Sequence, residues 1–462
     1  MLSILFNLLH ILKLISKYQI FTYPDTVKLP SGLNIIGWTV AIVVAPISLC
    51  IKPKRDFGSR ITACLQELGP IYIKFGQTLS TRPDIIGGGI ARYLKTLQDK
   101  LEPFGNDLSK KIILESLGGS SDELFASFDE IPVAAASISQ VHRAKLKSGE
   151  YVAVKILRPK IHYMYNKDIK LLYFLAKLAT KLVTKFKRLK LVAVIDIFND
   201  TMKFELDLRL EAAAMSELYD NFQNDISVHI PKIYWQLTSE YILTTQWVDG
   251  TSIYDRESLL EKGINLSLVA QRFVTMFFNQ VYRDGFFHAD LHPGNILIKS
   301  DASIALVDFG IMGRLPYKDR MAIAESLFGF VTRNYKLVAE VHLKAGYIPQ
   351  NTDLALFSQA IRAVTEPIIG LSVKNISMGK LLAQLFKITE DFGMEVQPQL
   401  ILLQKTILVV EGVGQQLDPQ INILQLIEPW MKKWAAKNLS PEAKIFRIVK
   451  HLVTEILEKL DK

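Results

Sequence analysis

The chain has 462 residues, 49% of them hydrophobic, and a formal net charge of +9. That apolar content sustains a packed core and excludes a disordered chain, and the length suits two or three domains. Two cysteines, Cys50 and Cys64, exclude a disulfide framework and point to a reducing compartment. No Cys/His cluster has zinc-ligand spacing. A basic chain of positive mean hydropathy suits nucleic acid or an anionic membrane. No nucleic-acid-binding motif accompanies the charge, so the membrane is the expected partner and nucleic acid is not.

In chain order, Met1 to Phe21 is apolar with His10, Lys13 and Lys17 interspersed. Leu33 to Ile51 carries no charge over nineteen residues, just enough to span a bilayer. Lys52, Lys54 and Arg55 follow, as on a cytoplasmic flank. Asn34, Thr39 and Pro46 speak for the alternative, a buried or interfacial helix. The pattern predicts helices over 58–80 and 106–117, then strands over 128–133, 141–146 and 151–157. Residues 165–224 are expected to be helical in two pieces. A strand over Tyr241 to Val248 ends at the turn signal Asp249-Gly250. Residues 257–283 read as helix, 296–298 and 303–307 as short strands, and everything after about 316 as helices. Strands followed by helices imply an α+β protein with a small sheet lobe and a large helical lobe. The expected organisation is an apolar segment 1–57, a helical extension 58–127, an N-lobe 128–250, a helical C-lobe 251–440 and an amphipathic helix 441–462.

The chemistry concentrates in Phe287-His288-Ala289-Asp290-Leu291-His292-Pro293-Gly294-Asn295. Kinases place an Asp five residues before an Asn on the catalytic loop. The Asp orients or deprotonates the acceptor and the Asn holds magnesium. Asp308-Phe309-Gly310 follows eighteen residues after Asp290, behind an apolar strand. Magnesium takes hard oxygen ligands, one or two carboxylates with phosphates, so Asn295 and Asp308 are the expected metal ligands and Asp290 the catalytic residue. Either motif alone is weak to moderate. Their order and spacing together make an N-cap or turn role for Asp290 the poorer account.

Upstream, Val152-Ala153-Val154-Lys155 matches the strand whose lysine reaches the phosphates of ATP. Its carboxylate partner is expected to be Glu211, in a helix running from Phe204 on which Asp207 and Glu211 share a face at i,i+4. A merely solvated acidic stripe is the rival reading. The glycine-rich loop expected before the lysine is missing. Pro132-Val133-Ala134-Ala135-Ala136-Ser137-Ile138-Ser139-Gln140 stands there instead. Glycines allow positive φ and close backbone approach to phosphates; alanines allow only part of that, so a stiffer ATP-binding loop is expected.

These residues resemble the UbiB family of atypical, protein-kinase-like kinases, which support ubiquinone biosynthesis. The resemblance rests on Lys74-Phe75-Gly76-Gln77 (the family's K-x-G-Q), Ala134 to Ser137, Glu205-Leu206-Asp207 (its E-x-D), His288 to Asn295 and Asp308 to Gly310. It runs from about residue 58 to beyond 430 and implies a kinase-like bilobal fold using ATP and Mg2+. It also implies that Lys74, Gly76 and Gln77 form a gate over the active site near Glu205 and Asp207. The extension would then exclude protein substrates, leaving ATP hydrolysis or small-molecule phosphorylation. Further implications are a membrane lipid or quinone precursor as partner, with ubiquinone biosynthesis enzymes, and a bacterial inner membrane location facing the cytoplasm. Many bacterial members end in two apolar helices, whereas 441–462 is only amphipathic; membrane attachment would then fall to residues 1–51. The competing readings are a phosphotransferase of the aminoglycoside or choline kinase kind and a nucleotide-gated scaffold.

Overall fold

The computed structural model describes residues 2–18, 20, 56–80, 86, 88–97, 101–182, 191–369, 382, 384–385, 388, 391–393, 397–421, 423 and 426. The apolar segment 33–51 and the amphipathic segment 441–462 lie outside these residues. Among the described residues, no helix is long and apolar enough to cross a membrane. The chain forms two compact units, residues 1–213 with 232–247 and residues 214–231 with 248–462.

The first unit begins with helices α1 (Leu2–Lys17), α2 (Phe57–Leu68), α3 (Pro70–Ser80), α4 (Gly88–Leu94) and α5 (Asn106–Leu117). The expected single helix over 58–80 is two, because Gly69 takes φ +107° and ends α2. A short turn, α6 (Ser121–Leu124), carries a capping box in which Ser120 and Glu123 satisfy each other's backbone N–H. It leads into β1 (Phe125–Phe128), β2 (Ala134–Ala135), β3 (Ser139–Leu146) and β4 (Tyr151–Leu157). The first strand thus lies earlier than the expected 128–133, and Pro132 follows it outside the ladder. β1, β3, β4 and β6 (Ile242–Gln246) form an antiparallel sheet in that order, with β2 folded back on β3. Alternate residues Val152, Val154 and Ile156 are fully buried, as one face of β4 must be.

After β4 come α7 (Ile161–Leu182), α8 (Leu191–Glu205) and α9 (Leu208–Phe222), three helices where two pieces were expected. The break at Leu206-Asp207 separates α8 from α9. Ile71 and Tyr72 of α3 pack with Ile169 and Leu172 of α7 and with Phe198 and Met202 of α8 in one core. Phe75 meets Phe198 edge-on at 5.2 Å between ring centroids. Every buried apolar side chain of this kind contributes roughly 1.5–3 kcal/mol, so α3 is held as a core element.

The second unit contains β5 (Val228–His229), β7 (Thr251–Ser252), α10 (Arg256–Glu261), α11 (Leu266–Phe278) and a π-helical turn Asn279–Asp284. Then follow β8 (Phe286–His288), β9 (Ile296–Ile298), β10 (Ile304–Leu306), β11 (Met312–Arg314), α12 (Tyr317–Val331), α13 (Tyr335–Ala345), α14 (Leu354–Ile369) and α15 (Pro398–Leu417). A small sheet orders its strands β5-β10-β9-β7, and β8 pairs antiparallel with β11. These short ladders flank the residues of the expected catalytic loop. Gly313 of β11 lies opposite Phe287, where a Cβ would stand 2.2 Å from the Phe287 ring.

One buried contact in the first unit is sensitive to pH. Tyr72 of α3 donates a hydrogen bond to Asp168 of α7. Burial raises the Asp168 pKa to about 6, against a smaller opposing effect of Lys167, Tyr72 and His10. A carboxyl whose folded pKa is raised contributes stability that is present at low pH and lost as pH rises through the folded value. Asp168→Asn is therefore expected to gain stability over the wild type as pH rises from 4 to about 7 and to hold that gain above it. Thermal melts across that range check this; a stability difference independent of pH would refute it.

Candidate active site

The first unit brings Lys155 and Glu211 together. Lys155 stands on β4 with its ladder neighbours Val141 and Leu243 on either side, and Glu211 is in the first turn of α9. Lys155 Nζ lies 2.7 and 2.9 Å from the two carboxylate oxygens of Glu211. The side chains are 17% and 5% exposed, so the pair is nearly desolvated. Such a pair is held by mutual attraction, and losing one member leaves a buried charge.

The expected placing of Asp207 and Glu211 on one helix face is corrected by the break between α8 and α9. Asp207 lies in that break, accepts the backbone N–H of Arg209 at 3.1 Å and binds its guanidinium at 2.7 Å. The Arg209 hydrogen bonds hold the Asp207 carboxyl below its usual pKa. Glu205, at the end of α8, pairs instead with Lys74 of α3 at 3.0 Å, again with little exposure. Gln77 does not join them; its Nε2 donates to the Leu97 carbonyl at 3.3 Å. Gly76 packs so closely that a Cβ would stand 2.5 Å from Leu97 and 2.8 Å from Leu65. The K-x-G-Q residues therefore divide their work. Lys74 anchors the end of α8, while Gly76 and Gln77 fit the helix against its neighbours.

The alanine-rich segment is a tight hairpin. Ala134 and Ala135 pair with Val141 and Gln140, and Ala136 N–H donates to the Ser139 carbonyl at 2.8 Å. None of Pro132 to Gln140 takes positive φ, so alanine meets every backbone demand of this turn. Ser137, Ile138, Ser139 and Gln140 are buried. Gln140 Oε1 accepts from Phe104 N–H at 2.9 Å and Nε2 donates to Ser109 Oγ at 2.9 Å. The Gln140 side chain is thus committed to the fold. Pro132 to Ala136 are the more accessible part of the segment. Arg158, which sequence reasoning passed over, donates to the Ala136 carbonyl at 2.8 Å and the Glu102 carbonyl at 3.0 Å. No local sequence signal marks it, since it acts on a turn 22 residues away.

In the second unit His288 ties the two motif loops. Its Nδ1 accepts the Asp290 backbone N–H at 3.1 Å. Nε2 must then carry the proton, and it donates to the Asp308 carbonyl. Complete burial lowers the His288 pKa, in keeping with a neutral ring. Gln280 Oε1 accepts the His288 N–H at 2.8 Å. Asn295 Nδ2 donates to the Asp290 carbonyl at 3.0 Å, which leaves the amide oxygen as its donor for a cation. The Asp308 carboxylate accepts Gly310 N–H at 3.0 Å. Asp290 keeps 34% of its side chain exposed, and His292 Nε2 lies 3.8 Å from its carboxylate. Asp290, Asn295 and Asp308 are therefore linked through backbone and one imidazole, with Phe309 beside His288 at 5.7 Å between ring centroids. Among the described residues, no group of three or more His, Cys, Asp or Glu side chains forms a metal site. Two oxygen donors, one carboxylate and one amide, fit a cation that takes its other ligands from phosphate and water.

A five-stranded antiparallel sheet carrying a lysine–glutamate pair, and a helical unit carrying HxD-x4-N and DFG, are the parts of a kinase-like protein. Residues 96–342 match the ABC1 atypical kinase-like domain, and residues 361–422 match the UbiB helical domain. The chain is 40% identical over 440 residues to a Marinobacter nauticus protein named "Probable protein kinase UbiB", covering 94% of this chain and 80% of that one. Proteins of the same name from Azotobacter vinelandii and Aliivibrio salmonicida are 41% and 42% identical, over 91% and 85% of this chain and 78% and 73% of theirs. The fold is shared with Rv3197 of Mycobacterium tuberculosis, solved in complex with erythromycin, at a TM-score of 0.52 and 24% identity over 80% of this chain and 94% of that one. The chain belongs to the UbiB family of ABC1 atypical kinases, with the expected α+β, kinase-like fold.

Glu211→Ala is expected to destabilise the protein by roughly 3 kcal/mol, because Lys155 loses the carboxylate that offsets its desolvation. Lys203→Ala, at an exposed ion pair, is expected to change stability by less than about 0.5 kcal/mol. Denaturant midpoints at constant slope measure both; equal effects would contradict the burial argument.

Proposed function

We propose that this protein binds Mg-ATP and either hydrolyses it or passes its terminal phosphoryl group to a small acceptor, in support of ubiquinone biosynthesis. The observation that carries the reading is the network in which His288 fixes the backbone of Asp290 and Asp308 while Asn295 is pinned to the same loop. Asp290 orients or accepts the proton of the attacking hydroxyl or water, which its partial exposure permits. Lys155, oriented by Glu211, supplies positive charge to the nucleotide phosphates. Asn295 and Asp308 would hold magnesium, which when bound offsets charge on the phosphate oxygens. Backbone groups of Pro132 to Ala136 contribute to nucleotide binding, and the hairpin's lack of positive φ gives that grip little freedom.

The Lys74–Glu205 pair fixes α3 to α8, which favours water or a small acceptor over a protein substrate. The name of the relatives supports a role in ubiquinone biosynthesis. The basic balance of the chain and the uncharged stretch 33–51 support action at the bacterial inner membrane from its cytoplasmic side. A membrane lipid or quinone precursor, with enzymes of the same pathway, is the proposed set of partners.

Saturating Mg-ATP is expected to stabilise the wild type by about 2–3 kcal/mol at a hundredfold excess over Kd. Asp308→Asn is expected to lose that shift, and an undiminished shift would overturn the metal assignment. Asp290→Asn is expected to leave quinone levels low in a deletion strain that the wild type restores. Full restoration by this variant would overturn the catalytic role.

A further inference from the structure

The sheet of the first unit gathers cations and aromatic rings at one end of the face that bears Lys155. β4 turns Val152, Val154 and Ile156 inward, all fully buried, and so turns Tyr151, Ala153 and Lys155 to the other face. On β3, Arg143 stands opposite Ala153 and Lys145 opposite Tyr151. On the other side of β4, the Trp247 N–H donates to the Tyr151 carbonyl at 3.0 Å. Arg143, Lys145, Tyr151 and Trp247 thus meet at this end of the sheet.

The Arg143 guanidinium lies 4.2 Å from the centre of the Tyr151 ring and 5.1 Å from that of Trp247. Lys145 Nζ lies 5.4 Å from the centre of the same Tyr151 ring. Two like charges drawn to one ring repel each other. Among the described residues neither cation has a carboxylate partner, and Arg143 donates no hydrogen bond. Its Nε is shut off from water and unmatched. Glu150, next to Tyr151 in the chain, is engaged elsewhere, accepting from Ser148 Oγ at 3.1 Å and from Tyr234. Tyr151 is 45% exposed, so the cluster is open to solvent. A guanidinium stacked on aromatic rings is held in place, and its planar fork of donors matches the oxygens of a phosphate.

We propose that Arg143 and Lys145 form a binding site for a doubly charged phosphate group, a monoester or a diphosphate, with the Arg143 fork donating to its oxygens and Lys145 offsetting the second charge. A singly charged carboxylate would leave one of the two cations uncompensated. Tyr151 and Trp247 hold the guanidinium flat, so little side-chain freedom is lost on binding. Tyr151 and Lys155 are the first and fifth residues of β4, roughly 13 Å apart at the rise of a strand. The site is therefore separate from Lys155 and does not rest on the nucleotide reading. A soluble phosphate ester and the headgroup of phosphatidic acid offer the same chemistry, and the test separates them.

The full-length protein, kept in EDTA to exclude divalent cations, is titrated with inorganic pyrophosphate by calorimetry. In parallel it is sedimented with phosphatidylcholine vesicles with and without phosphatidic acid. Saturable binding of pyrophosphate, of the phosphatidic acid vesicles or of both is expected, with slower amide exchange over 143–151. Arg143→Gln is expected to weaken binding about tenfold, the equivalent of one charge-assisted hydrogen bond. Arg143→Lys, which keeps the charge and loses the fork, is expected to weaken it about fivefold. Lys145→Gln is expected to weaken it about threefold, and it carries the test if the Arg143 variants do not fold. Pyrophosphate binding assigns the site to a free phosphate group, and vesicle binding without it assigns the site to a lipid headgroup; both results support the site. No saturable binding of either probe, as for cations that only cover the rings, overturns it. Wild-type affinity in both Arg143→Gln and Lys145→Gln, or unchanged exchange over 143–151, overturns it as well. Wild-type affinity in Arg143→Lys overturns the role of the fork.

Discussion

His288 is a neutral imidazole with no solvent exposure, and it takes an N–H from one loop and gives one to another. Both loops are short and lie between strands of only three residues. Ladders that short fix few backbone groups, so the loops need another constraint. The imidazole supplies it, because each ring nitrogen has one allowed role once the other is assigned. Burial holds the ring uncharged, which keeps the donor and acceptor roles from changing near neutral pH. Gln280, reaching from the π-helical turn to the His288 N–H, ties the same point to α11. The backbones of Asp290 and Asp308 are thus held by the histidine between them.

The first unit solves a different problem, the placing of charge in an apolar setting. Two lysine–glutamate pairs are nearly buried, Lys155 with Glu211 and Lys74 with Glu205. Buried pairs contribute little net stability but penalise any arrangement that separates them. They act here as registration marks, one joining β4 to α9 and the other joining α3 to α8. The break at Leu206-Asp207 lets Glu205 and Glu211 serve different lysines, since on one continuous helix they would lie six residues apart and face different ways. Asp207, in the break, closes on Arg209 and stays out of both pairs.

The alanine hairpin shows how composition follows backbone need. A turn with no positive φ has no use for glycine. Its shape is set by Ala136 and Ser139 across the turn, by the Arg158 guanidinium on the Ala136 carbonyl and by the Gln140 amide on Phe104 and Ser109. These contacts replace the conformational freedom of a glycine loop with fixed anchors. The same segment shows a limit of reading residues in a row: Ser137, Ser139 and Gln140 look like polar ligands in sequence and are buried in the structure.

From sequence alone the α+β class and the kinase-like family were legible. Asp290, Asn295, Asp308 and Lys155 sit in local motifs that short-range spacing alone picks out. Helix and strand periodicity likewise placed 106–117, 151–157 and 296–298, because it depends only on near neighbours. Three features were decided by tertiary contacts: the helix break at Leu206-Asp207, the inward turn of Gln140, and the roles of Arg158 and His288. Each joins residues distant in sequence or depends on what is excluded from water. A single strand of letters records neither distance nor burial.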